Sequence, residues 1–191
     1  MINQQTANHL VGTAVDAILA NAESFGEVLD ELPAAIYVTD TGGTITYFNK
    51  RCVELAGRTP EVGADKWCVT WKLYTCEGEP LPHDQCPMAV ALRERKPVRD
   101  AEAIAERPDG TRFHFVPFPT PLFDRDGNLS GAVNLLLDVT RQRTPEYLRS
   151  QADRCRNLAT ACGAQDITET LTLMAAKYDE QALKLARAGT A

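Results

Sequence analysis

Histidine is scarce in this chain of 191 residues: His9, His83 and His114 stand far apart. Three scattered imidazoles do not assemble a nucleophile, a base and an orienting group, so we expect no enzyme here. The 12 glycines are not clustered into a phosphate-cradling loop. No stretch approaches the roughly 18 uninterrupted apolar residues of a membrane span. The opening Met1-Ile-Asn-Gln-Gln-Thr lacks a basic region followed by an apolar one, and the expectation is a cytoplasmic protein without a membrane partner. Positive charge is also sparse. Lys and Arg number 20 against 26 Asp and Glu, for a net charge of −6. Residues 1–140 carry 12 basic and 20 acidic side chains and residues 141–191 carry 8 and 6, so no segment forms a phosphate-binding stripe and no nucleic-acid partner is expected.

A hydrophobic content of 44% excludes a disordered or collagen-like chain and supplies one substantial core. The length fits one domain, or one domain with a helical appendage. Six cysteines are present, Cys52, Cys68, Cys76, Cys86, Cys155 and Cys162. In a chain able to form a core and with no secretory signal, reduced thiols are the default.

Val11, Ile18, Phe25 and Leu32 recur every seven residues, with Ala14, Val15, Ala22, Val28 and Leu29 on the same face. This predicts an amphipathic helix, interrupted near Gly26 and stopped at Pro33. The seven-residue repeat suits either a symmetry mate or the helix's own domain, and the expectation is a homodimer formed through the helix around Val11 to Phe25. Residues 35–39 and 44–48 are β-branched and aromatic runs joined by Asp40-Thr-Gly-Gly, a hairpin pattern. Asn49 can cap a short helix through Leu55, and Thr59-Pro60-Glu61 has the chemistry of a further helix start. A helix is expected from about Asp84 to Arg93, with Asp84 as its cap. Strands follow at about 98–106, 111–120 and 129–138, linked by Pro108-Asp-Gly and Asp124-Arg-Asp-Gly turns. Pro117, Pro119 and Pro121 remove donors from one edge of the middle strand only. That strand should pair fully with the third and incompletely with the first. Beyond Thr144-Pro145, the stripes Leu148, Ala152, Cys155, Ala159, Cys162 and Leu171, Met174, Tyr178, Ala182, Leu185 predict an antiparallel helical hairpin. Its turn lies at Gly163-Ala-Gln, and Asp166 and Glu169 have capping-box spacing.

The segments Leu32-Pro-Ala-Ala-Ile-Tyr-Val-Thr-Asp40 and Gly43-Thr-Ile-Thr-Tyr-Phe-Asn49 resemble the opening hairpin of PAS sensory domains. Arg107-Pro-Asp-Gly-Thr-Arg112, Pro121-Leu-Phe-Asp-Arg-Asp-Gly-Asn-Leu-Ser-Gly131 and Asp138-Val-Thr-Arg141 resemble their closing half. Trp71-Lys-Leu-Tyr, Pro80-Leu-Pro-His-Asp-Gln-Cys-Pro-Met88 and Ala103-Ile-Ala-Glu-Arg-Pro-Asp-Gly110 are similar to PAS modules that precede bacterial histidine kinases. The resemblance implies an α+β fold, a five-stranded antiparallel sheet with helices on one face, over residues 25–143. An N-terminal helix over 1–24 and the hairpin over 144–191 flank it. No His-bearing dimerisation helix or glycine-rich ATP site follows, so kinase activity does not carry over. The chain reads as a sensor and interaction protein of bacterial signalling, acting on a separate histidine kinase or other effector. A truncated kinase is disfavoured, because Gly189-Thr-Ala follows a complete second helix.

The resemblance places any small-molecule ligand between the helix carrying Met88 and Leu92 and the sheet, lined by Trp71, Phe113, Phe115 and Asn134. Asp138 and Thr140 then relay its state to the terminal helices. Asn134 interrupts an apolar strand, and a buried amide needs either a ligand or a neighbouring loop as partner. Cys68, Cys76, His83 and Cys86 have metal-like composition, but their separations of seven, six and two residues make no paired framework. They read as separate loop and core residues. His83 lies near the region from which haem-binding PAS proteins supply an axial ligand, yet Pro82-His83-Asp84 reads first as a helix start. The Asn-Cys-Arg motif of light-sensing relatives is missing, and Asn49-Lys-Arg-Cys52 is only superficially similar. No cofactor is required by the sequence. The competing readings are a haem- or metal-dependent redox or gas sensor and a small-ligand carrier.

Overall fold

A computed structural model describes residues 4–20, 25–161 and 165–188. The chain divides into two compact units, Met1–Asp138 and Val139–Ala191. The first holds helices α1 (Gln4–Leu19), α2 (Phe25–Glu31), α3 (Lys50–Ala56) and α4 (Pro87–Glu94). Its strands are β1 (Ala35–Thr39), β2 (Ile45–Phe48), β3 (Lys72–Tyr74), β4 (Ala103–Glu106), β5 (Arg112–Pro117), β6 (Thr120–Phe123) and β7 (Leu129–Asp138). They form one antiparallel sheet in the order β2-β1-β7-β5-β4-β3, with β6 also pairing β7.

Seven strands stand where five were expected. One addition is β3, whose three residues are too short to leave a period-2 signal. The other comes from the prolines, which split the middle strand at Phe118-Pro119. Pro117 faces Leu136 and Thr120 faces Val133, so the pairing with β7 resumes in unchanged register after the break. Phe118 still donates its N–H to the Leu135 carbonyl at 2.8 Å, as the one-sided loss of donors requires. On the other edge, β4 begins only at Ala103, opposite Phe115.

The sheet is covered on both faces. On one, Ala35, Tyr37, Phe113, Phe115, Ala132 and Leu136 meet Cys52 and Ala56 of α3 and Met88 and Leu92 of α4. On the other, Ile36, Val38, Phe118, Val133 and Leu135 meet Ala7, Val11 and Ala14 of α1 and Leu29 of α2. The apolar stripe of α1 thus packs on its own sheet, with Val11 and Ala14 buried and Ile18 partly so, while α3 and α4 lie together on the opposite face. Gly26 does not interrupt a helix. It sits in the first turn of α2, where its carbonyl accepts the Tyr47 hydroxyl at 2.9 Å and a methyl group at its Cα would crowd the Tyr47 ring. α1 ends at Leu19 with Ala20 in a turn, and Ala22 lies outside the described residues.

Asn49 caps α3 and does more. Its Oδ1 accepts from Cys52 N and Ile36 N, and its Nδ2 donates to the Leu29 and Ala34 carbonyls. Thr59-Pro60-Glu61 starts a turn rather than a helix, held by the Asp65 carboxylate accepting from Glu61 N at 2.9 Å. Asp84 is not a cap either. It lies in a 3-10 turn, His83–Gln85, and α4 starts with Cys86 as N-cap and Pro87 at N1.

In the second unit, a 3-10 turn at Thr140–Arg143 precedes α5 (Pro145–Ala161) and α6 (Gln165–Ala188). Thr144 caps α5 by accepting from Tyr147 N at 3.2 Å. Ala152 and Cys155 pack on Ala175, Leu171 and Tyr178, and Arg156 pairs with Asp179. Met174 is 40% exposed, so it stands outside the seam assigned to it. Asp166 lies inside the first turn of α6 and so does not cap it. The expected Gly163 turn and Cys162 lie outside the described residues.

Candidate functional site

Between α4 and the sheet, the fold brings together five of the six side chains assigned to a ligand. Met88, Leu92, Phe113, Phe115 and Asn134 are all buried. The two phenyl rings lie 5.8 Å apart and tilted. Trp71 is not with them: it is 52% exposed, just ahead of β3. Nothing in the local sequence signals this, because an aromatic residue flanked by Thr70 and Lys72 fits either face.

A polar chain crosses this apolar face. Asn134 on β7 stands opposite Tyr37 on β1 and donates from Nδ2 to its hydroxyl at 3.0 Å. The Tyr37 hydroxyl donates to the Trp67 carbonyl at 2.9 Å, and Asn134 Oδ1 accepts from Phe118 N at 2.9 Å, where the strand breaks. The amide thus has two protein partners of the ordinary loop-and-strand kind. Burial, then the nearby Cys68 and Cys86, pushes the Tyr37 phenol well above its usual range, so the hydroxyl stays a neutral donor. Trp67 has φ 69°, a left-handed conformation uncommon for a bulky residue. Its ring lies against Gly43 (φ 79°), where a Cβ would come within 2.2 Å.

Three buried thiols belong to the same face. Cys52 directs its Sγ at the Ile36 carbonyl at 3.2 Å, and Cys68 accepts from the Thr70 hydroxyl at 3.2 Å. Burial pushes the Cys52 thiol far up, and burial followed by the neighbouring Cys68 pushes Cys86 up to about 12. Such thiols are small hydrophobes at neutral pH, not nucleophiles. Cys76 is exposed. Among the described residues no three His, Cys, Asp or Glu side chains gather into a metal cage, so Cys68, Cys76, His83 and Cys86 are not brought together as one.

His83 lies on the wall of a surface cleft of about 470 Å³ with Trp71, Leu73, Tyr74, Leu81 and Pro82. Burial lowers its pKa, and a hydrogen bond to the Thr70 backbone opposes that shift only in part. A second cleft, of about 380 Å³, is bordered by Arg51, Glu54, Leu55, Arg107 and Asp138. Asp138 ends β7 opposite Phe115, and Thr140 opens the 3-10 turn that leads to α5. Among the described residues no helix is long and apolar enough to cross a membrane.

A family model described as the PAS fold matches residues 29–144. The chain belongs to the PAS-fold family. It is 27% identical over 139 residues to uncharacterized protein y4lL of Sinorhizobium fredii (strain NBRC 101917 / NGR234), covering 73% of this chain and 16% of that protein's length. Similar solved structures include the PAS domain of a Colwellia psychrerythraea protein, with 21% identity over 60% of this chain and 93% of that one, at a TM-score of 0.43. The Rhodobacter sphaeroides LOV protein is 12% identical over 92% of this chain and 98% of its own, at 0.45. The LOV domain of the Erythrobacter litoralis EL346 blue-light activated histidine kinase is 21% identical over 58% and 99%, also at 0.45.

Proposed function

We propose that the chain is a cytoplasmic, non-catalytic PAS sensor and interaction module of bacterial signal transduction, which binds a small molecule or a partner at the face between α4 and the sheet. A PAS fold implies a sensory or signalling role. The observation that carries the finer reading is that one strand serves both ends of the route. Asn134 in the middle of β7 holds Tyr37 and Phe118, and the same strand runs to Asp138 and, through Val139 and Thr140, into α5. A change at the Met88, Leu92, Phe113 and Phe115 face that moves Asn134 pulls on a segment covalently joined to the hairpin.

The reading takes the protein as a homodimer that acts on a separate signalling protein, a histidine kinase or another effector. Since Ala7, Val11 and Ala14 are buried on the sheet, the dimer contact uses another surface. The test begins with mass spectrometry of small molecules retained by native protein. Hydrogen exchange with and without the retained molecule then reports on coupling. Protection near Met88 together with a change between Thr140 and Leu185 supports the relay; protection near Met88 alone leaves binding intact and removes the signalling claim.

A further inference from the structure

The hairpin of α5 and α6 keeps its small side chains inside and several of its large ones outside. Ala152, Cys155 and Ala159 of α5 and Ala175 and Ala182 of α6 are buried, and only Leu171 and Tyr178 add partly buried bulk to the seam. Leu158, Ile167 and Met174 stay exposed. Apolar burial is what holds two helices together, so a hairpin that had to stand alone would turn its large residues inwards.

The exposed residues share one side of the hairpin. Successive helical residues turn by about 100°, so Arg156 and Leu158 leave Cys155 in opposite directions, as Asp179 and Met174 leave Ala175. Arg156 pairs with Asp179 across the seam and marks one side. Leu158 and Met174 therefore share the other. On that side α6 presents Ile167, Leu171, Met174, Tyr178, Gln181 and Leu185, in alternating steps of four and three residues, the spacing of a coiled-coil seam. Beside it α5 presents Tyr147, Gln151, Arg154 and Leu158 in the same steps, and Arg154 is the only charged side chain on the two rows. α5 itself meets the neighbouring row of α6, through Ala175.

Two features select a second copy of this chain as the occupant. Residues 145–188 carry six basic and six acidic side chains, whereas residues 1–140 carry 12 and 20, so two copies meet without repulsion at the hairpin and not at the acidic remainder. The area is also of the right order. Helices of 17 and 24 residues, each about 10 Å wide and rising about 1.5 Å per residue, present roughly 600 Å² before side-chain relief is counted, near the ~800 Å² that each partner gives to a standard dimer. We propose that this side of the hairpin is the homodimer contact, where two copies pack α5 and α6 into a four-helix bundle. The proposal rests on the homodimer reading and gives that dimer its surface.

The test uses the full chain and follows its mass by light scattering and sedimentation over a concentration series. Ile167→Glu with Met174→Glu should raise the dissociation constant of the dimer about a hundredfold or more. Both residues are exposed, so circular dichroism should show the helices retained. Leu173→Glu with Leu183→Glu makes the same charge change at exposed positions off both rows and should leave the dimer as it is. A native dimer that the first pair does not weaken, or that both pairs weaken equally, overturns the proposal and leaves the homodimer reading standing. A native chain that is monomeric at tens of micromolar overturns both. One further readout needs no variant: isotope-filtered NMR of a dimer mixed from labelled and unlabelled native chains should show the Ile167 and Met174 methyl groups touching the partner copy. Contacts from Leu173 and Leu183 instead, or from residues 1–138 alone, overturn the proposal as well.

Discussion

Asn134 and Tyr37 face each other across β7 and β1, and the amide of one donates to the hydroxyl of the other at 3.0 Å inside an otherwise apolar layer. Replacing Asn134 by Leu removes the donor to Tyr37 and the Oδ1 acceptor of Phe118 N, whose other partner, the Leu135 carbonyl, survives. We expect a loss of about 1–3 kcal/mol, read by urea unfolding of Asn134→Leu. Tyr37→Phe should cost about 1 kcal/mol, and the double variant less than the two together, since both belong to one network. Additive losses would show that the two residues act separately.

Asn49 should be the more sensitive amide. It is fully buried, and its four bonds tie the end of α2, the start of β1 and the first turn of α3. Asn49→Ala leaves two carbonyls and two N–H groups in want of partners. A loss of at least about 3 kcal/mol is expected, well beyond the roughly 1 kcal/mol of an ordinary helix cap. A loss near 1 kcal/mol would return Asn49 to the cap role that the sequence assigns it.

What could be read from the sequence follows from which signals are local. The Asp40 hairpin is local: Oδ1 of Asp40 accepts from Gly42 N and Thr44 N within the turn. The α5–α6 pair and β7 also show in their own patterns. The proline argument worked because missing donors have a fixed direction along a strand. The inner face was legible through resemblance to the family, and five of its six assigned residues are there. Trp71 failed because its placement depends on where β3 turns, and a strand of three residues carries no period. The further bonds of Asn49 and the partner of Asn134 join residues 13 to 97 positions apart, and such contacts leave no mark in a local window.

Acid should act on the outer edge of the sheet first. Glu106 on β4 holds Lys72 of β3 and Arg112 of β5, and these hydrogen bonds bring its carboxyl down from 4.5 to about 2. A carboxylate with a depressed folded-state pKa adds stability that is fully present above its unfolded value. That contribution is lost as pH falls through the folded value, so the loss runs from about pH 4.5 towards 2. Thermal melts across that window should show a smaller decline for Glu106→Gln than for the native chain. Because the pair partners are exposed, the difference should shrink in high salt. Parallel declines would remove Glu106 from the account of acid sensitivity.

Thiol reactivity should divide by burial. With its thiol exposed, Cys76 should be alkylated by iodoacetamide at neutral pH. Cys52 and Cys86, buried and with raised pKa values, should be labelled only when the domain unfolds. Peptide mapping after a short pulse reads each site separately. Labelling of Cys86 as fast as that of Cys76 in folded protein would show that the face between α4 and the sheet opens to solvent.

The repeat in α1 leaves a choice between a symmetry mate and the chain's own sheet, and the two make opposite predictions. Val11 is 3% exposed and shares its cluster with Phe118, Val133 and Leu135. Val11→Asp places a charge where nothing of opposite sign is needed by the packing, and should cost at least about 2 kcal/mol of domain stability. Since the stripe is occupied within the chain, the mass measured by light scattering should stay the same wherever the variant remains folded. A dimer that becomes a folded monomer of undiminished melting temperature would show instead that α1 serves the partner. Removal of residues 1–19 extends the argument: uncovering Val133 and Leu135 should lower the melting temperature and promote aggregation, because a bare apolar sheet face seeks another surface.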